Sequence, residues 1–204
     1  MTKPNEHKIP NLTNLTFRHE SFIYAGKHYS YSEIEHINYT ADQTKYRVNF
    51  IPFVTTYRAN LLLKLSGRRN LRIAQEIPWF ASQKRSYLAV AKAAAIFSKI
   101  TFSQRVKFYA NALDGGGAIA WGNYQITREG DVSYKHERVF NIKDGTYALL
   151  LTPFSLVLRK KNKTQGERLK AIWASELEIP ISRDRDCFLY VMKRYFGITW
   201  EGES

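Results

Sequence analysis

The sequence predicts an α+β protein of two small antiparallel β units, sheets or barrels, each closed by a C-terminal helix. Three observations predict it. A run of three glycines in Asp114-Gly-Gly-Gly-Ala118 interrupts the chain near its middle. Glycine loses more backbone freedom on ordering than any other residue, so such a run marks a boundary. The stretches before and after it read alike. Long apolar-periodic segments, Ala81 to Leu113 and Asp184 to Phe196, read as one helix at the end of each half. The expected division is therefore 1–114 and 115–204.

In the first half, Phe22-Ile-Tyr-Ala-Gly26-Lys-His-Tyr29-Ser-Tyr31 reads as two strands about a turn at Gly26. Phe17, Phe22, Tyr24, Tyr29, Tyr31, Ile34 and Ile37 are expected to line a sheet. Tyr57 to Leu65 is an apolar strand running into a basic turn, Ser66-Gly-Arg-Arg-Asn70, with Arg72 beyond it. Glu76-Ile-Pro78 then precedes the long helix, where proline is tolerated. Ser82 is a candidate cap.

The second half repeats this order. Tyr124 to Tyr134 reads as a hairpin about Gly130, and Tyr147 to Leu151 and Ser155 to Leu158 as strands. Arg159-Lys-Lys-Asn-Lys163 reads as a second basic turn, and Glu178-Ile-Pro180 repeats the earlier tripeptide. In the last helix Phe188, Val191, Met192, Tyr195 and Phe196 have core spacing, Cys187 reads as a small buried hydrophobe, and Gly197 as the stop.

The segment Phe22-Ile-Tyr-Ala-Gly-Lys-His-Tyr-Ser-Tyr-Ser-Glu-Ile-Glu-His-Ile37 resembles the first hairpin of the small bacterial pleckstrin-homology-like (PH-like) domains and the strand that follows it. Val139-Phe-Asn-Ile142 is similar as a weaker second copy. The resemblance covers about half of the chain. It implies a tandem of two PH-like domains, a scaffold that binds proteins or anionic lipids and seldom catalyses. The first helix departs from the family pattern in being long.

Charge is distributed unevenly. Residues 43–113 hold thirteen Lys or Arg and one acid, Glu76, a net of +12 against +13 for the whole chain. Residues 114–204 hold fourteen basic and twelve acidic residues. A field of one sign is aimed at something negative. At about 100° per residue, Tyr87, Val90, Ala94, Phe97 and Phe108 fall on one side of the long helix, and Arg85, Lys92, Lys99 and Lys107 on the other. A merely solvated face would mix signs, because like charges at helical spacing repel. A helix break near Thr101, with Ser103 as a new cap, would shorten the stripe. The candidate anion-binding residues are Arg68, Arg69, Arg72, Arg85, Lys92, Lys99 and Lys107; arginine forks suit phosphate.

Other chemistry finds little support. The single cysteine excludes an internal disulfide and a cysteine-based zinc site. His7, His19, His28, His36 and His136 form no metal-binding spacing, and His36, alternating with apolar neighbours, reads as a satisfied sheet residue. Asp184 and Asp186, with Glu176 and Glu178 nearby, are the carboxylates that a Mg²⁺-dependent nuclease would use. Arg183 and Arg185 alternate with the two aspartates and are expected to neutralise them. No catalytic residue, metal or cofactor is expected, and no small-molecule substrate. The polar start and the absence of a long apolar run point to a cytoplasmic protein. The expected partner is nucleic acid first, then an acidic protein surface, with an anionic membrane third.

Overall fold

The computed structural model describes residues 6–48, 51–67, 70–78, 84–144, 147–151, 155–160, 177–180 and 183–198. The chain forms two compact units, Met1–Gln104 and Arg105–Ser204. It is α+β, with antiparallel sheets and two helices among the described residues.

The first unit begins with a four-stranded sheet in sequence order: β1 (His7–Lys8), β2 (Leu15–Phe17), β3 (Ser21–Tyr24) and β4 (Lys27–Ser30). A 3-10 turn at Tyr31–Glu33 leads to a three-stranded sheet, β5 (Ile34–Val48), β6 (Ile51–Leu65) and β7 (Leu71–Pro78). Helix α1 (Lys84–Asp114) follows. The second unit adds β8 (Ala118–Trp121), β9 (Tyr124–Thr127), β10 (Asp131–Tyr134) and β11 (Glu137–Asn141) as a four-stranded sheet. A 3-10 turn at Ile142–Asp144 leads to β12 (Tyr147–Leu151), β13 (Ser155–Lys160) and β14 (Leu177–Pro180), and then to helix α2 (Arg185–Phe196). The order of elements is the same in both units. Among the described residues the four sheets are open and none closes into a barrel.

Alternation builds the first core. Ala59, Leu61, Leu63 and Leu65 of β6 and Leu71 and Ile73 of β7 are buried, while Arg58, Lys64 and Arg72 between them are exposed. Val90, Ala93, Ala94 and Phe97 of α1 close this core, with Phe97 4.8 Å from Phe22 and 4.9 Å from Phe17 between ring centres. Phe17, Phe22, Tyr31, Ile34 and Ile37 are buried, and Tyr24 and Tyr29 are partly buried against the same core. Gln104 ties the helix to the start of β5, its amide donating to the Ser32 carbonyl at 2.8 Å and the Ile34 carbonyl at 3.2 Å.

Several expectations require correction. The helix does not break near Thr101: its 31 residues are continuous, and the Thr101 hydroxyl donates to the Phe97 carbonyl one turn back at 2.8 Å. Pro78, expected just before the helix, is the last residue of β7, paired with Thr56. Ser82 lies outside the described residues. Phe108 is 60% exposed and so not on the buried side. The buried row changes phase there, because from Arg105 onward the helix belongs to the second unit.

The two halves also align differently from the sequence reading. The β3–β4 turn has Ala25 and Gly26 at φ 50° and 77°, and positive φ at both central residues is the tight-hairpin geometry. By element order its counterpart is the β10–β11 turn at Lys135 and His136, φ 48° and 74°, and not Gly130. Gly130 sits in the three-residue β9–β10 connection, the counterpart of residues 18–20. The repeated tripeptides do coincide, since Pro78 and Pro180 each end the third strand of their sheet. Arg159 and Lys160 are residues of β13, paired with Ala148 and Tyr147, and are not in a turn. Residues 161–163 lie outside the described part. The last helix stops as expected: Gly197, at φ 67°, donates to the Lys193 carbonyl.

Candidate functional site

The exposed cations of the first unit divide into those already partnered and those that are not. Arg58 pairs with Glu76 at 3.0 Å and Lys64 with Glu35 at 3.0 Å. The Lys64 hydrogen bond holds the Glu35 carboxyl below its usual range. Arg72 is exposed, and two of its guanidinium nitrogens donate to the Asn60 side-chain oxygen at 3.1 and 2.6 Å. That neutral partner fixes the fork and leaves its charge uncompensated. The Arg72 carbonyl accepts from the Tyr24 hydroxyl at 3.2 Å.

Lys92 and Lys99 lie exposed on α1 with no ion-pair partner among the described residues. They are seven residues apart, two turns, and so share one face of the helix. Lys107 is exposed too, on the part of α1 that belongs to the second unit. Arg85 lies in the first described turn of the helix. Arg68 and Arg69 lie outside the described residues. Alternation puts Arg72 on the solvent face of the three-stranded sheet, apart from the helix, so the basic block occupies two separate surfaces rather than one.

One cation of the block has a quite different place. Arg105 is buried, its side chain 0% exposed. It donates to Asp184 Oδ1 at 2.7 Å and to the two Asp186 oxygens at 3.0 and 2.6 Å. The other Asp184 oxygen accepts from the Tyr109 hydroxyl at 2.6 Å. Burial disfavours the charge on Arg105, but the Asp186 hydrogen bonds and both carboxylates outweigh it and raise its pKa. Burial and the Asp184 charge raise that of Tyr109. Trp121 stacks on Tyr109 at 4.5 Å and donates from its indole to the Arg183 carbonyl at 3.1 Å. Asp184 has φ 49°, and its side chain makes no capping bond to α2. It faces Arg105 and Tyr109 instead.

The expectation that Arg183 and Arg185 neutralise these aspartates is therefore corrected: Arg105, far away in sequence, does so. A signal for this existed. Phe97, Thr101, Arg105, Tyr109 and Leu113 recur every four residues, and all five are buried. An arginine within such a row demands buried acids. Both Asp184 oxygens are committed, and the side chain is inaccessible to solvent. Cys187, beside this cluster, is buried as expected, and burial pushes its thiol pKa up. Among the described residues no three of His, Cys, Asp and Glu come together in a way that could hold a metal ion, and no helix is long and apolar enough to cross a membrane.

Comparison with protein-family models, curated proteins and solved structures finds no match.

Proposed function

We propose that this chain is a non-catalytic binding protein, built as a tandem of PH-like units, whose basic N-terminal surface engages a polyanion, nucleic acid before any other. The tandem reading is supported by the recurrence of four-stranded sheet, 3-10 turn, three-stranded sheet and helix in the same order. The observation that carries the binding reading is the unpaired, exposed Lys92 and Lys99 on one face of a helix that has no acid before Asp114. Repulsion along such a face is relieved by phosphates.

The test is the salt dependence of binding to a DNA or RNA duplex. Each phosphate neutralised contributes about 0.9 to the log–log salt slope. Lys92→Glu with Lys99→Glu is expected to weaken binding and lower that slope by about 2. Affinity that does not change between about 0.05 and about 0.2 M salt sinks the reading.

A second reading, an adaptor on an acidic protein surface, is favoured by Leu88. It is 53% exposed, and at about 100° per residue it lies within about 40° of Lys92 and Lys99. Ile100 is 44% exposed. Apolar side chains among cations suit a protein face better than a phosphate backbone. Under this reading Leu88→Ser, which changes no charge, weakens association with an acidic partner and leaves duplex binding as it was; if duplex binding falls instead, the first reading stands.

A further inference from the structure

The second unit holds a cleft of about 460 Å³ lined by Asp114, Arg128, Glu129, Lys143, Arg194 and Tyr195. Small-ligand sites generally span ~300–1,000 Å³. The lining comes from four places in the chain: the end of α1, the β9–β10 connection, the 3-10 turn at Ile142–Asp144 and the end of α2.

Two of the three cations are restrained without being neutralised. The Lys143 ammonium donates to the Arg128 main-chain carbonyl at 3.2 Å and lies 5.6 Å from the centre of the Phe196 ring. Its backbone N–H donates to the Asn141 side-chain oxygen at 2.8 Å. The β9–β10 connection runs beside this side chain: a Cβ at Gly130 would stand 3.3 Å from Lys143 Cγ. Arg194 donates to the Tyr190 hydroxyl at 3.1 Å and stands 5.4 Å from the centre of the Tyr195 ring. The Arg128 side chain makes no hydrogen bond or ion pair among the described residues. Main-chain carbonyl, hydroxyl and ring faces thus fix Lys143 and Arg194, and their charges remain available to a ligand.

We propose that this cleft binds a small phosphate monoester bearing free hydroxyl groups. Its phosphate meets Arg128, Lys143 and Arg194, and its hydroxyls donate to Asp114 and Glu129. Three cations outweigh the charge of a phosphate, which is close to −2 at neutral pH. The two carboxylates set the selectivity, because they repel a bare anion and accept from hydroxyls. A free sugar phosphate and the 5′-phosphorylated end of a nucleic acid both present this chemistry. The site is in the unit with the smaller excess of positive charge, sixteen basic against twelve acidic residues, and does not use Lys92 or Lys99.

Calorimetric titration of the full chain tests it, with ribose 5-phosphate, ribose and inorganic phosphate as probes. Ribose 5-phosphate is expected to bind saturably, inorganic phosphate more weakly and ribose not at all. Arg128→Gln and Lys143→Gln, which alter exposed side chains, are each expected to weaken binding about tenfold through loss of a charge-assisted bond. Lys92→Gln with Lys99→Gln is expected to leave it unchanged, so failure here and failure of the polyanion reading are distinguishable. A 5′-phosphorylated oligonucleotide that binds more tightly than its 5′-hydroxyl twin, with the difference lost in Arg128→Gln, assigns the ligand to a nucleic-acid end. Equal binding of the two assigns it to the free sugar phosphate. Ribose 5-phosphate binding weaker than about 1 mM, or binding that neither Arg128→Gln nor Lys143→Gln changes, overturns the proposal.

Discussion

Replacing Arg105 by methionine, which preserves the length and apolar stem of the side chain, removes the cation from a closed cluster. Three charge-assisted hydrogen bonds are lost, one to Asp184 and two to Asp186. At about 1.5–3 kcal/mol each the gross loss exceeds 4 kcal/mol. Asp186 is 31% exposed and recovers hydration, whereas Asp184 is 0% exposed and gains no water in place of the lost cation. The net expectation is a loss of about 3–5 kcal/mol, the usual cost of breaking a buried pair from one side. The assay is urea unfolding combined with hydrogen exchange of individual peptides. Exchange should rise in residues 105–144 and 185–196 and not in β2–β4. Adding Asp184→Asn and Asp186→Asn to Arg105→Met removes the stranded charges and should restore much of the loss. Acid should also help the single variant. An unpaired buried carboxylate has a raised folded pKa, so its destabilising effect is relieved as pH falls through that pKa, and the gap to the parent protein narrows between about pH 7 and 5. A loss below about 1 kcal/mol, or a triple variant less stable than Arg105→Met, would refute the reasoning.

Phe97→Ala should destabilise the first unit by about 3–5 kcal/mol in the same urea assay, because the ring lies at the centre of the Phe17–Phe22 cluster. Stability should decline on the alkaline side. Burial raises the folded pKa of Cys187 from 9.0 and of Tyr109 and Tyr31 from 10.0, so each contribution is intact below those unfolded values and is lost as pH rises toward the folded ones. Thermal melts from pH 8 upward should show the decline, with the part that begins near 9.0 absent in Cys187→Ala. Gly197→Ala should cost about 1–2 kcal/mol of α2 stability. The added methyl meets nothing within 4 Å, so the cost is the φ of 67° alone, and an unchanged melt would contradict it.

Much of the architecture was legible because its cause is local. Alternation in Leu61, Leu63 and Leu65, the acid-free alanine-rich helix and Gly197 each specify their own element. What was hidden depends on partners far away in sequence. Lys135-His136 makes the same tight turn as Ala25-Gly26 but carries no glycine, so the sequence pattern points to Gly130 instead. Arg105 has the same composition signal as Lys107; only the four-residue row shared with Phe97 and Thr101 distinguishes a buried cation from an exposed one. Sequence counting gave the charge of residues 43–113 correctly, yet Arg58, Lys64 and Arg105 spend theirs on Glu76, Glu35 and the two aspartates. The cleft around Arg128, Lys143 and Arg194 joins stretches tens of residues apart and leaves no local pattern.

Helix α1 is about 46 Å long at 1.5 Å per residue, and it is divided in allegiance: Ala89 to Phe97 complete one core, while Arg105 and Tyr109 hold the other at Asp184. The glycines from Gly115 are thus a poor place to cut. A fragment starting there would inherit every described strand of the second unit and neither the cation nor the hydroxyl that Asp184 answers to. Cut there, the second unit is not self-contained, because Arg105 and Tyr109 come from the last turns of α1.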